Sequence, residues 1–202
     1  SKSEIYKSLY TLYYNDDNYE KAIEILEKIE SLEGKSSELT LLQVEQLMML
    51  GKHNEAVAII DQAIAENQDD TRFMTLKGEV YAMAGNYALA EETYLNILKR
   101  YPDNVMTLTS LVNLYAQVED YDAFCNTVER LIKNEKVDTE IRLKNLVTYV
   151  LYKESTDSAS IRPFYQELLQ LPFDQLELHE SYADYLEYKN ADKSELVPIY
   201  EK

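Results

Sequence analysis

Residues 71–102 read TRFMTLKGEVYAMAGNYALAEETYLNILKRYP. Apolar residues recur at helical spacing on both sides of Ala84-Gly85-Asn86, so two amphipathic helices are joined by a tight turn. Gly78 and Ala90 are small where the two helices would cross. Tyr81, Tyr87 and Tyr94 are large enough to fill the space around that crossing. Pro102 closes the second helix.

The pattern returns at a step of 34 residues. Tyr19, His53, Tyr87 and Tyr121 are equally spaced, as are Ala22, Ala56, Ala90 and Phe124, and as are Asp17, Gly51, Gly85 and Glu119. The chain therefore divides into helix–turn–helix repeats at about 3–36, 37–70, 71–104, 105–138, 139–173 and 174–202. In the first repeat Asp17, with Glu20 three residues on, is expected to cap the second helix. The expected core of the second repeat is Leu39, Leu42, Leu47, Leu50, Val57, Ile60 and Ile64. That of the fourth is Leu108, Leu111, Leu114, Tyr115, Tyr121, Phe124, Val128 and Leu131. The period slips in the fifth repeat, where Asp138 caps a helix near 139–153, a longer turn spans 154–158, and Pro163 falls in the first turn of the next helix. The last helix, KSELVPIYEK, is short and neither terminal helix is a polar cap, so a fragment of a longer array is expected.

This pattern resembles the tetratricopeptide repeat (TPR), over nearly the whole chain and best in residues 71–102. The resemblance implies an all-α, right-handed superhelical solenoid of about six helix–turn–helix units. Each helix pair leaves an apolar face that only its neighbour covers, and the first helices line the concave side. The Tyr-rich style and the SYADYL segment also resemble long multi-repeat TPR proteins of anaerobic gut bacteria, which leans the expectation towards export.

Aligned on the family, the outward groove positions are Glu45, Met48, Met49, Thr75, Glu79, Met83, Thr109, Asn113 and Gln117. Lys7, Thr11, Leu41, Arg72, Arg142, Asn145, Tyr149 and Tyr152 extend the same face. Family members that hold chaperone C-termini use Lys, Asn and Arg here to clamp carboxylates. Glu45 and Glu79 stand in place of such groups, so chaperone tails are not the expected ligand. Adaptable methionines beside acids suit a protein or peptide partner of basic or apolar character.

Composition narrows the function classes. Lys plus Arg number 20 against 37 Asp plus Glu, a net charge of −17 that repels nucleic acid and anionic membrane. The longest apolar run, residues 146–152, is too short to span a bilayer. A single cysteine, Cys125, rules out an internal disulfide, and its place beside Phe124 reads as a small buried hydrophobe. His53 and His179 lie in different repeats, and no P-loop, nucleophile elbow, zinc-protease or dinucleotide motif accompanies them, so no catalytic residue is assigned. Three acid clusters, Asp16-Asp17, Asp69-Asp70 and Glu119-Asp120-Tyr121-Asp122, lack calcium-loop spacing and read as helix caps, so no metal or cofactor is assigned. The expected function is a non-catalytic protein–protein interaction scaffold binding a partner segment on the concave face. The alternatives are a structural spacer or self-assembling segment, or an accessory domain of a larger enzyme.

Overall fold

The computed structural model describes residues 1–172 and 175–201. Among them the chain is helix and turn with no strand, and it falls into two compact units, Ser1–Pro102 and Asp103–Lys202. The N-terminal unit holds α1 (Lys2–Asn15), α2 (Tyr19–Glu33), α3 (Ser37–Met49), α4 (His53–Glu66), α5 (Thr71–Met83) and α6 (Tyr87–Arg100). The C-terminal unit holds α7 (Val105–Gln117), α8 (Tyr121–Lys133), α9 (Thr139–Thr156), a 3₁₀ turn (Ser158–Ser160), α10 (Ile161–Leu168), α11 (Gln175–Tyr188) and α12 (Lys193–Tyr200). Consecutive helices pack on one another from α1 to α6 and from α7 to α10, as do α11 and α12. This is the all-α architecture of stacked helix–turn–helix repeats. First helices start at Ser37, Thr71, Val105 and Thr139, a step of 34 residues. The boundary expected at residues 173 and 174 lies outside the described residues.

The step is set by the turn inside each hairpin. Asp17, Gly51, Gly85 and Glu119 all have positive φ, at 54°, 69°, 78° and 59°. The residue after each donates its N–H five residues back, as in Lys52 to Leu47 O (2.8 Å) and Asn86 to Tyr81 O (2.8 Å). The positive-φ residue itself donates three back, as in Gly51 to Met48 O (3.0 Å). This paired closure caps the carbonyls of the first helix and reverses the chain in a fixed number of residues. Asn190, at φ 53°, repeats it between α11 and α12.

Asp17 therefore does not cap α2, as its spacing to Glu20 suggested. It is the left-handed residue of the turn, and Asn18 accepts the Lys21 N–H instead. The other two clusters do cap: Asp70 accepts from Arg72 N and Asp120 from Ala123 N. Asp138 caps α9 by accepting from Glu140 N. That helix runs to Thr156, past the expected end near residue 153. It closes through the 3₁₀ turn rather than a left-handed residue, and Pro163 lies in the first turn of α10.

Ala22, Ala56 and Ala90 are fully buried at corresponding places in α2, α4 and α6. The core of the N-terminal unit continues through Val44, Leu47, Ile60, Phe73 and Val80. In the C-terminal unit Leu108, Leu111, Leu114, Tyr115, Val128 and Leu131 are buried as expected, each such side chain contributing about 1.5–3 kcal/mol. Tyr121 departs from expectation. As the first residue of α8 it emerges from the turn 44% exposed, and its ring stacks on Tyr152 with centroids 5.1 Å apart. Tyr87 holds the same place in α6 and is also partly exposed.

Candidate functional site

The N-terminal unit sets α1, α3 and α5 side by side. Tyr14 on α1 donates its hydroxyl to Glu45 on α3 (3.3 Å), and Gln46 Nε2 donates to the Tyr10 hydroxyl (3.3 Å). The Glu45 charge holds the Tyr14 hydroxyl above its ordinary pKa. Burial, reinforced by the Glu45 charge, pushes Tyr10 up to about 12. Both phenols stay protonated at neutral pH, Tyr14 donating to Glu45 and Tyr10 accepting from Gln46. Met49 and Met83 are each more than half exposed and stand 34 residues apart, as do Glu45 and Glu79. The surface so formed pairs an acid with a soft apolar side chain one helical turn further on. Met48 is half-buried against the core, and Glu79 is half-buried.

Thr75 is not on this surface. It is 0% exposed, because α5 packs on α3, α4 and α6 and a side chain as short as threonine's does not reach past them. Lys7 pairs with Glu33 (2.8 Å) and Arg72 with Asp70 (2.7 Å), so both cations are engaged by acids of this unit.

In the C-terminal unit Thr109, Asn113 and Gln117 are exposed along one line of α7. Thr109 spends its hydroxyl on Val105 O of its own helix (2.9 Å). Two residues expected on the outward face of α9 are buried. Arg142 donates from Nε to Ile132 O (2.7 Å) and from Nη1 to Pro172 O (3.2 Å), tying the last turn of α8 to the segment after α10. Tyr149 donates to Glu129 (2.9 Å) and packs on Phe164, centroids 4.6 Å apart. Arg142, Leu146 and Tyr149 form one inward stripe at helical spacing, and the opposite stripe faces out.

That opposite stripe lines a cavity of about 710 Å³ between α9 and α11. Leu143, Val147, Val150 and Leu151 line it from α9, with Tyr165 from α10 and Tyr185 and Tyr188 from α11. Leu151 and Tyr188 are 71% and 70% exposed. Glu154, Glu177, Glu180 and Asp184 stand around it against one lysine, Lys144. Glu154 is held by Lys189 and by the Tyr185 hydroxyl (3.2 Å), and the Lys189 hydrogen bond keeps its carboxyl below the ordinary range. Glu180 and Asp184 enter no ion pair among the described residues. An apolar cleft of this size with acids at its edge suits an apolar segment carrying positive charge. None of the nine groove positions read from the sequence lines it. Its signal was present in residues 143–151, where Leu143, Val147 and Leu151 recur every four residues opposite the buried stripe.

The remaining reactive side chains are placed apart. His53 is half-buried at the start of α4 and His179 is half-buried on α11, in different units. Cys125 is buried, which pushes its thiol up and away from reactivity. Among the described residues no group of three or more His, Cys, Asp or Glu could hold a metal ion, and no helix is long and apolar enough to cross a membrane.

Two family profiles described as tetratricopeptide repeat match the chain, over residues 13–80 and 74–104. A TPR repeat-containing protein of Methanocaldococcus jannaschii is 26% identical over 138 residues, which covers 63% of this chain and 24% of that protein. Protein O-mannosyl-transferase TMTC1 of Homo sapiens is 26% identical over 110 residues, covering 54% of this chain and 12% of that protein. The chain thus spans about a quarter or less of the length of these curated relatives. Among solved structures, MamA from Desulfovibrio magneticus RS-1 superposes with a TM-score of 0.54 at 15% identity, over 85% of this chain and 95% of that one, a likeness of fold.

Proposed function

Because the chain is a tetratricopeptide-repeat protein, we propose that it is a non-catalytic scaffold that holds a segment of a partner protein on the exposed faces of its first helices. The observation that carries this reading is the α9–α11 cleft, where aliphatic side chains stay open to solvent beside acids. Exposed apolar area of that kind is retained where something covers it. The Glu45–Met49 and Glu79–Met83 pairs give the N-terminal unit a surface of the same character. With a net charge of −17 the partner segment is basic or apolar, and nucleic acid and carboxylate-ended chaperone tails are disfavoured.

A second reading makes the chain an accessory segment of a larger enzyme. The observation in its favour is that one curated relative is a mannosyl-transferase, matched over 12% of its length. Affinity capture separates these surfaces from the rest of the protein. Partner capture by the parent chain is compared with capture by Glu45→Lys/Glu79→Lys and by Val147→Asp/Leu151→Asp, each checked for retained helicity. Loss of the partner in either variant is the expected result. Undiminished capture by both removes the first-helix faces from the account.

A further inference from the structure

On the scaffold reading above, we propose that the cleft between α9 and α11 receives a basic amphipathic helix of a partner protein. Its two helices contribute different side chains: α9 is mainly aliphatic, with Lys144 and Glu154 beside the aliphatic residues, and α11 sets its acids among Ser181, Tyr185 and Tyr188. On α9, Leu143, Val147 and Leu151 recur every four residues and make an aliphatic stripe about 12 Å long at about 1.5 Å per residue. On α11, Glu177, Glu180 and Asp184 recur at three and four residues and make an acidic stripe about 10 Å long. The occupant must therefore be two-faced, with aliphatic side chains towards one wall and Lys or Arg towards the other.

Spacing selects a helix over a strand. Like side chains on one edge of a docked helix recur at three and four residues, about 4.5–6 Å along the axis, a range that takes in the four-residue steps of the α9 stripe and the three- and four-residue steps of the α11 stripe. A strand repeats on one side every two residues, about 6.6–6.8 Å, and falls out of step with the acids within two repeats. Charge selects the sign. Glu180 and Asp184 enter no ion pair among the described residues, so their attraction is available to a cationic edge. Val147 and Leu151 are 52% and 71% exposed, and a helix with a Leu edge covers them.

The test is fluorescence anisotropy on the full chain with three labelled peptides. One is a designed amphipathic helix with a Leu stripe and a Lys edge, one has Glu for each Lys, and one keeps the Lys edge but has a central proline. The Lys helix should bind at least about tenfold tighter than the other two, and its affinity should fall as salt is raised. Glu180→Lys/Asp184→Lys should reverse the preference in favour of the Glu peptide. Val147→Asp/Leu151→Asp should abolish binding of both, with helicity by circular dichroism unchanged. Equal binding of the Lys and Glu peptides, or no reversal in the lysine variant, overturns the assignment. Equal binding of the proline peptide makes the occupant an extended segment and also overturns it. A concentration-dependent dimer that competes with the peptide makes it a second copy, with the same consequence. If the Lys helix fails while Val147→Asp/Leu151→Asp still loses a captured partner, the scaffold reading stands and the ligand class falls.

Discussion

The Tyr94 ring occupies the space a side chain at Gly78 would need: a Cβ on Gly78 would lie 2.3 Å from Tyr94 Cε1. The ring is 1% exposed, so it is held within the core. Alanine in a helix interior gains about 1 kcal/mol over glycine, while overpacking costs about 1–3 kcal/mol. Gly78→Ala should therefore lose up to about 2 kcal/mol net, read by urea denaturation. In a Tyr94→Leu background the same substitution should become neutral or stabilising. An equal loss in both backgrounds would detach the two residues.

The repeated left-handed turn predicts opposite effects at equivalent positions. Glu119 adopts φ 59° with a side chain, where Gly85 adopts φ 78° without one. A side chain in this region costs about 1–2 kcal/mol, partly offset by the unfolded-state freedom that glycine adds. Glu119→Gly should raise stability by about 0.5–1 kcal/mol, and Gly85→Ala should lower it by about 1 kcal/mol. Thermal melts of the two single variants decide the matter.

Arg142 joins the last turn of α8 to the segment after α10 through separate N–H groups, and burial holds its guanidinium below its ordinary pKa. Arg142→Met should cost about 2–3 kcal/mol, since two carbonyls lose charged donors. Arg142→Lys should recover less than half of this, because one ammonium does not reproduce the forked geometry. Full rescue by lysine, measured by denaturant unfolding, would contradict the fork.

Asp70 links capping to pH. Its hydrogen bond from the Arg72 side chain holds the carboxyl below the ordinary range. A depressed folded pKa adds stability that is present above the unfolded value, about 3.9, and is lost as pH falls through the folded value. Asp70→Asn keeps a capping oxygen but not the charge, so its deficit at neutral pH should vanish in acid. Asp70→Ala also loses the cap, about 1 kcal/mol, and should remain less stable than the parent at low pH. Parallel pH–stability curves for parent and Asp70→Asn would refute the linkage. Glu33 and Glu154 are depressed too, by hydrogen bonds from Lys7 and Lys189 first, so the acid limb should persist in both variants.

The hairpins were legible in the sequence because turn geometry and close crossings restrict residue type. Gly51, Gly85, Ala56 and Ala90 advertise a left-handed turn and a tight contact by their size alone. Asp17 was misread because aspartate serves equally as a cap and as a left-handed residue, and only the backbone distinguishes them. The faces of single helices were less legible. Arg142 and Tyr149 fall on outward positions of the family pattern, yet each buries its stem and delivers its polar end to partners inside the unit, Arg142 to two carbonyls and Tyr149 to Glu129. Thr75 also falls on an outward position of the family pattern, but its side chain is too short to reach past the helices packed on α5.

The extra length of α9 bears on how such a chain diversifies. Its 18 residues exceed the 13 of α3, α5 and α7, and the excess, residues 152–156, carries Glu154 and Ser155 of the cleft. Repeats held to a common step are interchangeable parts, and copying or deleting one leaves the local interfaces alike. A repeat that has lost the step no longer has an equivalent elsewhere in the array. The cleft is built on such a repeat, so duplication of its regular neighbours could lengthen the protein without multiplying or erasing that recognition surface.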